Sequence, residues 1–386
     1  MLRPLPLAVG GLIALAAAMG IGRFVYTPIL PIMQEALELT NGQTGFIASL
    51  NFAGYLAGAL AAATPILTGS RRSWLLGATA LSAVTTGAMA FVSSVAAFAL
   101  LRFTGGVASA FVLVFSSALV LDRLNAAGRA SLSAVHFAGV GTGIALSAIV
   151  VSVLHAIGLE WRGLWIASGL ASLLAVVAVA YLVPNVDDPQ SHQPASGSVL
   201  DRRLMFLVAA YGLFGFGYVI TATFLVVIVR TDNETRALEP LVWLIVGLAA
   251  MPSVWLWARA GARYGVFPAF ALACVVEAVS VAASVLWLST AGVLLAATLL
   301  GGTFMGITAL GLVAARNLAR GDPRRIIGIM TAAFGLGQIV GPVFAGVVSD
   351  ATGSFLLPSL TAVAALCIAA LLARISHHDD EPSLDL

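Results

Sequence analysis

The residues best suited to chemistry are two arginines set in apolar surroundings. Arg23 lies in Gly20-Ile21-Gly22-Arg23-Phe24-Val25-Tyr26-Thr27-Pro28-Ile29-Leu30-Pro31, and Arg102 opens Arg102-Phe103-Thr104-Gly105-Gly106. A guanidinium is permanently charged and presents a planar fork of donors, so its natural partners are carboxylate and phosphate. Two such groups with few buried acids to neutralise them describe an anion site. Around Arg23, two glycines and two prolines weaken the helix that carries the charge. A broken, charged helix is tolerated at membrane depth where it is packed in protein or faces a water-filled cavity, so the stretch reads as the wall of a substrate pathway. Arg102 has a structural alternative: it could donate to carbonyls freed where Pro28 and Pro31 interrupt the first segment.

Neutral polar groups cluster around the same idea. Tyr26 shares a helical face with Arg23, Met19, Thr27 and Leu30. Asn51, Tyr55, Tyr211, Tyr218 and Gln338 add hydroxyl and amide groups from other apolar segments. Together they suit a small organic anion with an apolar or ring portion. Each is equally at home as a polar contact between packed helices. Glu277 is the acid deepest in an apolar segment and His136 lies early in another, which makes both candidates for carrying a proton. The competing reading is a buried carboxyl paired with a neighbouring helix and a histidine whose hydrogen bonds are met locally.

These groups must be held by membrane-spanning elements. The chain has 386 residues, 60% hydrophobic and 9% charged, with mean hydropathy +1.03. That balance suits no soluble domain, and the long unalternating runs exclude a membrane β-barrel. Apolar windows long enough to cross a bilayer recur twelve times, from 7–33 to 357–372. The first continues past Arg23, longer than a signal-peptide core, and is read as a retained span. The expected fold is therefore an all-α polytopic membrane protein with 12 transmembrane helices. Cys274 and Cys367 lie inside apolar runs and are expected to be buried thiols.

Arginine sets the orientation. All nineteen basic residues are Arg; with the N-terminus inside, fourteen fall on the cytoplasmic side, three outside, and Arg23 and Arg102 within spans. Both termini are thus expected in the cytoplasm. The polar stretch 184–203 divides the chain into two halves, 1–183 and 204–374, followed by a tail at 375–386. The halves echo each other. Gly20-Ile21-Gly22 and Gly215-Phe216-Gly217 stand 195 residues apart, and Gly139-Val140-Gly141 and Gly335-Leu336-Gly337 stand 196 apart. Nearly equal offsets suggest a duplication, the organisation of rocker-type transporters. On this alignment Tyr218 takes the place of Arg23.

Along essentially its whole length the chain resembles the major facilitator superfamily. Gly69, Arg71 and Arg72 match the turn between spans two and three, although Ile66 stands where the family has an acid. Arg259, Gly261 and Arg263 form the second copy, with Ala258 in the acid's place. Arg102 to Gly106 match the arginine motif of span four, and Gly337-Gln338-Ile339-Val340-Gly341-Pro342 is similar to a glycine-proline motif that efflux members usually carry in span five. The opening stretch and 102–120 look like the bacterial YbfB-like branch. The resemblance implies two pseudo-symmetric six-helix bundles, a bacterial inner-membrane location, alternating access, and a central cavity lined by spans one and four.

Other classes find little support. With no Lys there is no phosphate-cradling P-loop, and there is no zinc spacing or nucleophile elbow, so an enzyme or ATP-driven pump is not indicated. No cofactor and no nucleic-acid partner are implied; the expected partners are a small-molecule substrate, membrane lipid and protons, with the protein acting as a monomer. Two alternatives to organic-anion transport stay open: export of hydrophobic or cationic compounds, and a receptor or scaffold built on a transporter fold.

Overall fold

In the computed structural model the described residues are 4–64, 69–184, 201–318 and 323–378. Among them, twelve helices are long and apolar enough to cross a membrane, and the chain folds as an all-helical bundle of spans. Span 1 is Pro4–Leu37, span 2 Asn41–Ala62, span 3 Arg71–Phe91, span 4 Val95–Ala126, span 5 Ala130–Ala156 and span 6 Trp161–Leu182. The second set comprises span 7 Arg202–Thr231, span 8 Arg236–Tyr264, span 9 Val266–Leu286, span 10 Thr290–Leu318, span 11 Arg325–Thr352 and span 12 Leu356–Ser376.

The packing repeats itself. Spans 2 and 4, 3 and 4, 3 and 6, 1 and 5, and 1 and 6 are neighbours in the first set. Adding six to each number gives 8 and 10, 9 and 10, 9 and 12, 7 and 11, and 7 and 12, which are all neighbours in the second. The two bundles are therefore pseudo-symmetric. They meet where span 2 lies along span 11, span 5 along span 8, and span 1 beside span 7.

Small residues permit those meetings. A Cβ placed on Gly247 of span 8 would come within 2.3 Å of the Ala145 backbone nitrogen of span 5. At Gly45 of span 2 it would come within 2.1 Å of the Pro342 carbonyl of span 11. At both crossings the helices touch backbone to backbone, the close approach that small side chains allow in apolar surroundings.

Even spans return the chain to one side. The Arg203 side chain donates to the Ser376 carbonyl at 2.9 Å, and Arg72 donates to the carbonyls of Val183 and Ala180 at 2.7 and 2.5 Å. These contacts join the starts of spans 7 and 3 to the ends of spans 12 and 6 on what we term the terminal face; the opposite side is the far face. The segment 185–200, most of the interval expected to separate the halves, lies outside the described residues, as do Ile66 and the tail beyond 378.

One expectation about burial needs correcting. Cys274 is buried, but Cys367 is exposed on span 12. Apolar sequence in a spanning helix marks both the protein interior and the lipid-facing surface, so an apolar run alone does not bury a thiol.

Candidate functional site

Span 1 is where the sequence breaks the helix. Regular helix runs over Pro4–Leu15, passes into a π-helical turn at Ala16–Ile21, and resumes at Tyr26–Leu37. In the widened turn, backbone nitrogens reach one residue too far: Gly22 N–H donates to Ala17 O at 2.8 Å and Phe24 N–H to Met19 O at 3.2 Å. Thr27 N–H bonds Phe24 O at 3.2 Å instead of Arg23 O. Pro28, lacking an N–H, cannot take up the slack. Carbonyls are left over on the interior side of the break, where they require partners from elsewhere.

Arg102 supplies them. From span 4 its Nη1 donates to Gly22 O at 2.9 Å and its Nη2 to Arg23 O at 2.8 Å. The Arg102 carbonyl accepts from Asn51 Nδ2 of span 2 at 2.8 Å. Tyr26 lies beneath the guanidinium, its ring centroid 5.0 Å away, while its hydroxyl donates to Thr44 O at 2.8 Å. This corrects the expectation that two guanidinium groups converge on a substrate. Arg102, Tyr26 and Asn51 form a clasp that holds the broken helix together, and none of the three lines the central cavity.

Arg23 is built differently. Its backbone is fixed by the clasp, and its side chain extends into a cavity of about 140 Å³ between the two bundles. Tyr55, Tyr218, Phe304, Phe334 and Gln338 share that lining. The guanidinium carbon sits 4.3 Å from the Tyr55 ring centroid and 4.5 Å from that of Phe52, cation–π contacts that supply part of what water would. Nη2 donates to Gln338 Oε1 at 3.2 Å, and Nε has no hydrogen-bond partner among the described residues. No carboxylate belongs to the described lining, and no described acid pairs with Arg23.

The far wall is aromatic. The Tyr218 ring lies 5.8 Å from Phe304 and 5.9 Å from Phe334, with interplanar angles of 7° and 3°. Phe24 meets Phe304 edge-on at 6.0 Å. Gln338 Nε2 donates to the Tyr218 hydroxyl. Leu113, Phe137, Val254 and Leu312 extend the lining toward the terminal face.

At the far face the bundles are tied together. Asp350 of span 11 accepts from the backbone N–H groups of Asn41 and Gly42 at 2.9 and 2.7 Å, capping the N-terminus of span 2 alongside its own Thr40–Gln43 capping box. Arg230 bridges Glu35 of span 1 at 2.5 Å and Glu239 at 3.1 Å. Deeper in, the Thr27 hydroxyl donates to Ala222 O at 2.9 Å. The described conformation is thus closed on the far side of Arg23.

The remaining predicted residues lie off the cavity. Tyr211 packs flat on Phe334, centroids 5.0 Å apart, and donates to Thr308 O at 3.0 Å, so it supports the aromatic wall from behind. Glu277 is fully buried between spans 9 and 10, where it accepts from the Thr303 hydroxyl. His136 is buried against span 1, its Nε2 3.5 Å from Ser117 Oγ. Neither group belongs to the cavity lining. Of the eight residues expected to touch substrate, the structure gathers Arg23, Tyr55, Tyr218 and Gln338 around one space. Reading for polar groups missed Phe304, Phe334 and Phe137; the position of Phe24 beside Arg23 was the available signal.

Twelve spans in two related bundles around a buried cavity are the architecture of a multi-pass membrane transporter. The chain belongs to the major facilitator superfamily: the family described as "Uncharacterised MFS-type transporter YbfB" matches residues 15–374. Among solved structures, the fold is similar to that of the nucleoside transporter NupG, crystallised as a point mutant, with a TM-score of 0.75 and 15% sequence identity over 96% of this chain and 100% of that one. No curated protein matches the sequence.

Proposed function

We propose that this transporter moves a small organic anion or amphipathic metabolite across the bacterial inner membrane by rocking its two bundles about the central cavity. The observation that carries the reading is Arg23. A permanent charge buried in an aromatic cavity, with no described acid beside it, is costly unless a ligand of opposite charge completes it. Gradient-driven exchange fits the architecture, in which the substrate site lies between repeats that move as units. With both termini in the cytoplasm, as the arginine distribution implies, the far face is the outer one and the described conformation is closed toward the outside.

Export of cationic drugs is the weaker reading, since the described lining offers a cation no carboxylate. Uptake of labelled organic acids into proteoliposomes tests the proposal. The wild-type protein transports at least one small organic anion, and Arg23→Ala removes that transport while the protein remains folded. Undiminished transport by the variant overturns the reading.

A further inference from the structure

Gln338 meets the Arg23 guanidinium from the opposite bundle. Arginine nitrogens only donate, so the amide group of Gln338 turns its oxygen to Arg23 and its nitrogen to Tyr218. The Tyr218 hydroxyl must then accept from Gln338, and its own proton is left for another acceptor; no described residue takes it. Two donors, the Arg23 guanidinium and the Tyr218 O–H, therefore flank the space beside a neutral amide oxygen. Arg23 comes from span 1 and Gln338 from span 11, so their 3.2 Å bond also crosses from one bundle to the other, deeper than the contacts at the far face.

From this arrangement, and resting on the anion-transport reading above, we propose that Gln338 is an internal stand-in for the substrate's carboxylate, and that the substrate is a monocarboxylate carried on a single flat aromatic ring. A carboxylate entering from the terminal face displaces the amide oxygen from Arg23. One of its oxygens takes the guanidinium and the other the Tyr218 hydroxyl. Charge-assisted bonds replace a neutral one, so the exchange favours the ligand. The bond between bundles is released in the same step, which couples loading of the site to freedom of the halves to move.

The ring follows from the walls. Tyr218, Phe304 and Phe334 lie nearly parallel, and with Phe24 and Tyr55 they line the cavity with aromatic surface against which a flat ring packs. The cavity, about 140 Å³, is smaller than the roughly 300 Å³ at which pockets for drug-sized ligands begin. It suits one ring. With one cation in the lining, a single negative charge is matched and a second would be stranded.

Benzoate is the probe. Its binding to the purified full-length protein is read from ligand-dependent melting, with acetate and benzyl alcohol as comparators that lack the ring or the charge. Wild type is expected to bind benzoate at least about tenfold more tightly than either. Gln338→Met and Gln338→Ala remove the competing acceptor and are expected to bind benzoate about tenfold more tightly than wild type. Gln338→Glu supplies a permanent competitor and is expected to lose benzoate. A structural role alone would not move these variants in opposite directions.

Unchanged or weaker benzoate binding in both Gln338→Met and Gln338→Ala, or undiminished binding in Gln338→Glu, overturns the stand-in. Benzoate binding no tighter than acetate overturns the ring. In either case, loss of all carboxylate binding in Arg23→Gln leaves the anion-transport reading standing. Failure of every carboxylate to bind wild type, or full binding by Arg23→Gln, overturns both.

Discussion

Arg23 and Arg102 are the same residue type, 4% and 5% exposed, in neighbouring spans, yet they do opposite work. Arg102 spends both Nη groups on carbonyls of a helix that cannot satisfy itself. Arg23 bonds a neutral amide, interacts with the Tyr55 side chain, rests on aromatic rings, and borders the cavity. Burial and charge are therefore poor guides to function on their own. Nε has no hydrogen-bond partner among the described residues in either case, so what separates the two is where the Nη groups point: those of Arg102 are taken by span-1 carbonyls, and the Arg23 guanidinium borders a cavity that can admit a ligand.

That contrast breaks first at Arg102. Arg102→Met strands two buried carbonyls at about 1–3 kcal/mol each, so the purified variant is expected to unfold at a markedly lower temperature or fail to accumulate. Arg102→Lys keeps the charge but not the fork and falls between the two. A melting curve matching wild type for Arg102→Met would return this residue to the list of ligand contacts.

Arg23→Met has the complementary signature. Removing one member of a buried charge pair costs about 2–5 kcal/mol of binding, so substrate affinity is expected to fall by at least about thirtyfold. Its melting temperature without ligand is expected to equal or exceed that of wild type, because a desolvated charge lacking an ionic partner is removed. A large loss of thermal stability would show that Arg23 is a second clasp.

The smallest effects belong to the far face and sharpen the comparison from outside the site. Asp350→Ala removes a cap from the N-terminus of span 2, worth about 0.5–2 kcal/mol, and is expected to raise the population open at the far face. Cysteine-labelling rates in the outer part of span 2 measure that population. Glu35→Gln removes a surface pair worth at most about 1 kcal/mol and is expected to shift it less, increasingly so at high salt. The reverse ranking would place the main tie at Arg230.

Much of the fold was legible in the sequence because hydrocarbon admits so few solutions. Twelve apolar runs and matching glycine motifs were enough to expect paired helical bundles, and Arg23 was conspicuous as a charge beside helix breakers. The site was legible only in part. Tyr55, Tyr218 and Gln338 reach the cavity, whereas Tyr26, Asn51 and Tyr211 turn to backbone carbonyls or packed rings. Helical periodicity places residues on a face but does not say whether that face meets lipid, another helix or a cavity, the ambiguity that also misplaced Cys367. Phe304 and Phe334 were invisible for the same reason: in a chain this apolar, a cavity-lining phenylalanine looks like any other. The link between Asp350 and Asn41 joins positions 309 residues apart, and no local pattern announces it.

The most direct test of the central claim is ligand-dependent melting of wild type beside Arg23→Met over a panel of small organic acids and their matching alcohols and amines. The account predicts that at least one acid raises the melting temperature of wild type, that its alcohol and amine do not, and that Arg23→Met responds to none. Equal stabilisation of both proteins by the same acid, or stabilisation of wild type by amines alone, would contradict it.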